Sequence, residues 1–352
     1  MTPTSTPSDT PSIGLYGAGM ISGAHAAAAT LLQMPIVGVA SRSVERAEQQ
    51  AGRLRTKALS YAELPGGADV VVVSTPPQCH ATDAMAMLAA GAAVVLEKPL
   101  CTTLVDADAL VEAAAGGRLL YAENLAYAPI FTTLLTMVPE LGSVDHLEIR
   151  TIQSLPTWGE FTSDAWGGGA LFDLGVHPLG IALLVGAAAG AGQVVSVSCH
   201  LLGGEGHNSD EHAEVTLTFG GGLVATVISS WQATTYLGHD TQVWDVQVSS
   251  PSGVLRGDFW PRPSLEHNGD PVAIPTSTAD VPFIEEFGYA GQLAAFANDI
   301  ATGAAPFMNA AFGRVVLDVV CAAYQSAGRD GVSEAVPFTG DRSKTPLELW
   351  HA

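Results

Sequence analysis

From Ser12 to about Asn124, short unbroken apolar runs alternate with Ala-rich segments whose apolar positions recur at helical spacing. The runs are Ile13–Tyr16, Ile36–Ala40, Val70–Val73, Ala93–Leu96 and Leu119–Tyr121. The helical segments between them are Ser22–Gln33, Val44–Leu54, His80–Ala90 and Asp106–Ala115. A strand that is apolar at every position is buried on both faces, so this part predicts a parallel sheet with helices on either side. Beyond Ala126 the apolar positions alternate instead, over Asp145–Gln153, Gln193–Leu202, Ala213–Phe219, Leu223–Ser230 and Trp244–Ser249. Gly220-Gly221-Gly222 reads as a hairpin turn between two of these runs. One helix near Ala170–Leu184 interrupts them, and Glu285–Ala301 and Ala310–Ala327 read as helices after them. The expectation is an α/β domain over residues 12–125, then an α+β domain over 126–352 with a large open, mostly antiparallel sheet.

Composition narrows the classes of partner. The 352 residues are 47% hydrophobic and only 14% charged, enough to bury two cores. Asp and Glu number 35 against 14 Lys and Arg, a net charge of −21 that repels nucleic acid and anionic membranes. Cys79, Cys101, Cys199 and Cys321 are widely spaced, without disulfide or zinc patterning, which suits a cytoplasmic location. Residues 1–11 are rich in Thr, Ser and Pro and read as a disordered tail rather than a signal peptide. The apolar stretch Gly180–Val195 is short and rich in small residues, so it reads as a buried helix and not a membrane span.

The first strand runs straight into Gly17-Ala18-Gly19-Met20-Ile21-Ser22. Gly17 permits a tight turn, and Gly19 lets a pyrophosphate approach the backbone at the start of the next helix. Ser22, at the third glycine position, is small enough for close helix–sheet packing. Strand, turn and helix in this order are the context in which such a pattern signals a dinucleotide-binding Rossmann domain. After the second strand stands Ser41-Arg42, where an NAD-binding chain places a carboxylate on the ribose hydroxyls. A hydroxyl and a guanidinium suit a 2′-phosphate, so NADP(H) is the preferred cofactor, with NAD(H) the alternative.

Further along stand Ser74-Thr75-Pro76-Pro77 with His80 beyond, Glu97-Lys98-Pro99, and Gly167-Gly-Gly-Ala-Leu-Phe-Asp173-Leu-Gly-Val-His177. With the glycine turn, Leu141-Gly142-Ser143-Val144 and the closing helices, these resemble the glucose–fructose oxidoreductase/inositol dehydrogenase family (Gfo/Idh/MocA) along nearly the whole chain. The resemblance implies Lys98, His177 and Asp173 as catalytic residues. It also implies a cofactor set of Gly17, Gly19, Met20, Ile21, Ser41, Arg42, Thr75, Pro76, His80, Glu97, Lys98 and Asn124. Lys98 ends a parallel strand, at the sheet edge where ligands bind, and is one of only three lysines. Asp173 and His177, four apart, would share one face of a helix. Two departures concern substrate positioning: Gly180 replaces the family's usual acidic residue, and Ala126 its usual arginine.

Tyr127, Trp158 and Trp166 are candidate substrate contacts; for Trp158, Phe161 and Trp166 the alternative is ordinary core packing. His200, His207, Asp210, Glu211 and His212 fit no zinc or calcium spacing, so no metal is expected. Between Ala126 and Ala310 there is no lysine, and the arginines are Arg150, Arg256 and Arg262. So few cations predict a neutral sugar, polyol or cyclic alcohol as the small-molecule substrate rather than a phosphorylated or acidic one. A non-catalytic NADP-binding sensor or co-regulator is the competing function, and it would have no need of the intact Lys98 and His177. Chemistry on an internally recycled cofactor is a third arrangement. By the resemblance, a homodimer or homotetramer would form through the C-terminal sheet.

Overall fold

The computed structural model describes residues 10–239, 241–277 and 280–352. The tail expectation for residues 1–11 falls almost wholly outside them.

Five parallel strands form the first sheet: β1 Ile13–Tyr16, β2 Ile36–Ala40, β3 Val70–Val73, β4 Ala93–Glu97 and β5 Leu119–Ala122, in the order β2-β1-β3-β4-β5. Every residue of β1, β3, β4 and β5 is buried, as unbroken apolar runs demand. The connecting helices are α1 Met20–Leu31, α2 Val44–Leu54, α3 Pro77–Ala89 and α4 Leu104–Ala113. Ser43 caps α2 through Arg46 N–H, and Thr103 caps α4 through Asp106 N–H. The order reverses between β1 and β3, and the cleft opens beyond the carboxyl ends of these strands.

The second sheet has nine strands: β6 His146–Ile152, β7 Val194–Gly203, β8 Asp210–Phe219, β9 Val224–Ser230, β10 Val243–Ser250, β11 Gly253–Asp258, β12 Ser264–His267, β13 Asp270–Val272 and β14 Glu334–Ala335. All neighbours are antiparallel except β6 and β9. One face is covered by helices, among them α5 Pro129–Met137, α6 Ala170–Asp173 and α7 Val176–Ala188. On the other face, part-exposed Glu148, Thr216, Thr226 and Gln247 alternate with buried neighbours. A later helix, Ala310–Ala327, packs on α4, β5 and β7, and so joins the two sheets.

Three sequence expectations need revision. The helix near Ala170–Leu184 is two pieces, α6 and α7, broken at Leu174 and Gly175, with Asp164–Asp173 and Val176–Ala188 bent by 48°. A Cβ at Gly175 would lie 2.5 Å from the Leu171 carbonyl oxygen, so only glycine allows the pieces to meet this closely. Asp173 and His177 therefore do not share one helical face. The helix expected over Glu285–Ala301 breaks at Phe287 and Gly288 into Pro282–Glu286 and Tyr289–Thr302. Strands β11 to β14, short and bordered by Gly and Pro, gave too little alternation to be seen in sequence. No single helix among the described residues is long and apolar enough to cross a membrane.

Candidate active site

A cleft of about 990 Å³ runs along the carboxyl edge of the first sheet. The β1–α1 turn lines it. Gly17 has φ +124°, and a Cβ there would lie 2.7 Å from Ser74 Oγ and 2.8 Å from the Ser74 carbonyl oxygen. Gly19 caps α1 without any side-chain hydrogen bond, leaving the first-turn N–H groups open to the cleft. A Cβ at Gly19 would meet nothing within 4 Å, which is room for a ligand. Ser22 is buried and accepts a hydrogen bond from Gln50 Nε2 at 3.0 Å. Open helix-end N–H groups beside an unfilled approach are the arrangement a dinucleotide pyrophosphate requires.

At one end the cleft wall carries Ser41, Arg42, Arg46 and Arg53. The arginine salt bridges among the described residues belong instead to Arg150, Arg314, Arg329 and Arg342. Tyr61 also lines this end, stacked on Tyr16 at 4.0 Å between ring centroids. The carboxylate of Asp83 accepts from Tyr16 Oη at 3.0 Å and from Thr75 Oγ1 at 2.7 Å. Glu45 turns to Ser43 Oγ at 2.9 Å.

Toward the other end, Glu97 and Lys98 leave β4. Glu97 accepts from His25 Nε2 at 2.6 Å and from Lys98 N–H at 3.1 Å. Burial alone would raise its carboxyl pKa; the His25 hydrogen bond and the Lys98 charge outweigh burial and hold it below the usual range. Lys98 Nζ donates to the Asp173 carbonyl oxygen at 3.0 Å and to Asp173 Oδ1 at 3.1 Å. An ammonium has three donor positions, so one remains for a ligand oxygen. Trp158, Phe161 and Trp166 form the facing wall, with centroids 4.7 Å apart for both Trp158–Phe161 and Phe161–Trp166. Trp166 Nε1–H is buried without a protein partner.

The glycine run that carries Asp173 is seated by Asp210. Its Oδ2 accepts from Leu171 N–H at 2.8 Å and its Oδ1 from Tyr324 Oη at 2.5 Å, while Tyr324 Oη accepts from Gly169 N–H at 2.9 Å. Burial pushes the Asp210 carboxyl up, although these hydrogen bonds oppose it.

Four sequence candidates stand elsewhere than expected. His80 is fully enclosed, with Nδ1 2.7 Å from the Pro99 carbonyl oxygen and Nε2 2.6 Å from that of Thr75; it braces two loops and does not line the cleft. Burial pushes its pKa down. Asn124 Nδ2 donates to the Phe287 carbonyl oxygen at 2.6 Å, away from the cleft wall. Tyr127 Oη faces Met308 N–H at 3.4 Å, and burial pushes its pKa up to about 12. His177 is buried and does not line the cleft, its Nδ1 2.9 Å from both oxygens of Glu123 and its ring 5.7 Å from that of Trp244. The remaining candidates, Gly17, Gly19, Met20, Ile21, Ser41, Arg42, Thr75, Pro76, Glu97, Lys98, Asp173, Trp158 and Trp166, all line the one cleft. Sequence reading missed His25, Arg46, Arg53 and Glu123. Glu123 had one signal, a carboxylate directly after β5 at the ligand-binding edge. Arg46 had another, a second arginine in the first turn of α2, just after Ser41-Arg42.

The description "Oxidoreductase family, NAD-binding Rossmann fold" matches residues 12–124, and "GFO/IDH/MocA C-terminal domain" matches residues 139–246. The putative UDP-kanosamine synthase oxidoreductase subunit of Amycolatopsis mediterranei (strain S699) is 30% identical over 296 residues, covering 76% of this chain and 81% of that protein. GenD2 from gentamicin A biosynthesis, solved in complex with NAD, has a TM-score of 0.80 at 23% identity, covering 96% of this chain and 99% of that one. The aldose-aldose oxidoreductase from Caulobacter crescentus, complexed with glycerol, has a TM-score of 0.78 at 20% identity, covering 92% and 99%.

Proposed function

Because this chain belongs to the Gfo/Idh/MocA oxidoreductase family, we propose that it moves a hydride between NADP(H) and a secondary hydroxyl or carbonyl of a neutral sugar, polyol or cyclic alcohol. The observation that carries this reading is Lys98 Nζ, held on Asp173 in the same cleft as the glycine turn. In this assignment residues 12–125 bind the cofactor, and residues 126–352 bind substrate and associate into a homodimer or homotetramer through the open sheet face.

The nicotinamide, when bound, supplies or accepts the hydride. Gly17, Gly19 and the start of α1 would hold the pyrophosphate, and Ser41 and Arg42, joined by Arg46, would hold the 2′-phosphate. As the ammonium, Lys98 would hold the carbonyl oxygen through its third donor position and give it a proton in reduction; as the neutral amine, it would take the hydroxyl proton in oxidation. Asp173 fixes the ammonium, and His177, which lies outside the cleft lining, would be the second proton-handling group through its Nε2. Trp158 and Trp166 offer the sugar ring an apolar wall.

Neutrality of the substrate is supported by where the cations lie. The cleft's arginines, Arg42, Arg46 and Arg53, all come from the first domain, and Lys98 is its one lysine. Arg150 turns to Asp245 and Arg256 to Gln247 on the second sheet. The Amycolatopsis relative's name carries a nucleotide sugar, which favours the opposite reading. A screen of sugars, polyols and cyclic alcohols against their phosphate and nucleotide derivatives, followed by NADPH formation, tests both. A sensor would turn over none of them.

A further inference from the structure

We propose that Glu123 is the positioning residue for His177: its carboxylate keeps the proton on Nδ1 and leaves Nε2 as the ring atom available for proton exchange. The consequence for catalysis rests on the function proposed above, whereas the geometry does not. Glu123 follows β5 directly and caps the turn Asn124–Tyr127, accepting from Leu125 N–H at 3.3 Å. It is fully buried, and both of its oxygens lie 2.9 Å from His177 Nδ1. Among the described residues, the His177 ring is the one basic group within salt-bridge distance of this carboxylate. A carboxylate accepts and does not donate, so the proton between the two belongs on Nδ1. Which nitrogen of a neutral imidazole is protonated is set by such a partner, and the other nitrogen becomes the base.

Gly180 makes this arrangement possible. It lies three residues beyond His177 on α7, on the same side of the helix. A Cβ at Gly180 would sit 3.5 Å from Glu123 Cγ, 3.8 Å from Glu123 Cδ and 3.7 Å from Phe312 Cε1. That much fits, but any longer side chain would compete with Glu123 for the same space. The carboxylate therefore reaches His177 from the end of the parallel sheet, through the slot that the glycine leaves open. An acid placed at 180 should substitute for Glu123 once the latter is removed.

The test uses the full chain labelled with nitrogen-15 histidine. Long-range proton–nitrogen correlation at mildly alkaline pH reads each ring's tautomer, and His177→Gln assigns the His177 signals. The expected result is an Nδ1–H tautomer for His177, a shift toward Nε2–H in Glu123→Ala, and return to Nδ1–H in Glu123→Ala/Gly180→Glu. An Nε2–H tautomer in the unmodified protein overturns the proposal, as does an unchanged His177 spectrum in folded Glu123→Ala. If Glu123→Ala does not fold, the spectrum of the unmodified protein decides alone. Glu123→Gln should also lower kcat about tenfold or more on a polyol from the screen, with KM and NADPH binding little changed. Absence of turnover by the unmodified protein would count against the proposed function, while the tautomer result would stand or fall by itself.

Discussion

Lys98 Nζ lies 3.0 Å from the Asp173 carbonyl oxygen and 3.1 Å from Asp173 Oδ1. The lysine directly follows a strand of the first sheet; the aspartate ends a one-turn helix over the second. Their contact closes the two halves of the chain at one point and leaves the ammonium a single free donor position. With the lysine 17% and the aspartate 8% exposed, the pair is largely out of water, so losing one partner leaves the other charge poorly compensated.

Asp173→Asn keeps the shape and loses the charge, so turnover should fall modestly, about tenfold, with NADPH binding retained. His177→Ala should fall further, about 10²–10⁴-fold, the usual cost of losing a general acid or base. Steady-state kinetics beside NADPH fluorescence titration separates the two effects. Turnover of His177→Ala at the unmodified rate would remove His177 from the mechanism.

Arg42→Ala should weaken NADP binding by roughly 1.5–3 kcal/mol, the range of a charged hydrogen bond, and leave NAD nearly unchanged. Calorimetric titration with both cofactors measures it. Equal affinity of the unmodified protein for NADP and NAD would refute the assigned phosphate site.

Gly19→Ala and Gly169→Ala should part company. The first adds a methyl that meets no protein atom within 4 Å, so melting should be unchanged while cofactor affinity drops. The second places a Cβ 2.0 Å from the Asp210 carbonyl oxygen and 2.6 Å from Asp210 N. Backbone cannot yield as a side chain does, so the loss of stability should reach or exceed about 1–3 kcal/mol. Thermal melts with and without NADPH distinguish the two outcomes.

A free sugar should be preferred over its phosphate in kcat/KM, because the cleft's other cations, Arg42, Arg46 and Arg53, come from the first domain and two of them are assigned to the cofactor. Matched pairs measured under identical salt decide this, and a clear preference for the phosphate would reverse the substrate assignment.

The parallel strands were legible because burial on both faces leaves an unbroken apolar record. The Gly17 turn was legible because its backbone conformation admits little but glycine. Glu123 was not, since a buried carboxylate reads as polar until its partner, 54 residues away, is known. His80 and Asn124 stand away from the cleft for the complementary reason. Both lie beside the cleft in sequence, yet their polar atoms are taken up by main-chain carbonyls of Pro99, Thr75 and Phe287. The bend between α6 and α7 was hidden because Gly175 interrupts the apolar pattern for too few residues to signal a break.

The most direct measurement compares the unmodified protein with Lys98→Met on the best neutral substrate from the screen, following NADPH formation and NADPH binding in parallel. The account predicts NADP-dependent oxidation by the unmodified protein, a loss of about 10²–10⁴ in kcat for Lys98→Met, and undiminished cofactor binding. Turnover by Lys98→Met at the unmodified rate would contradict it.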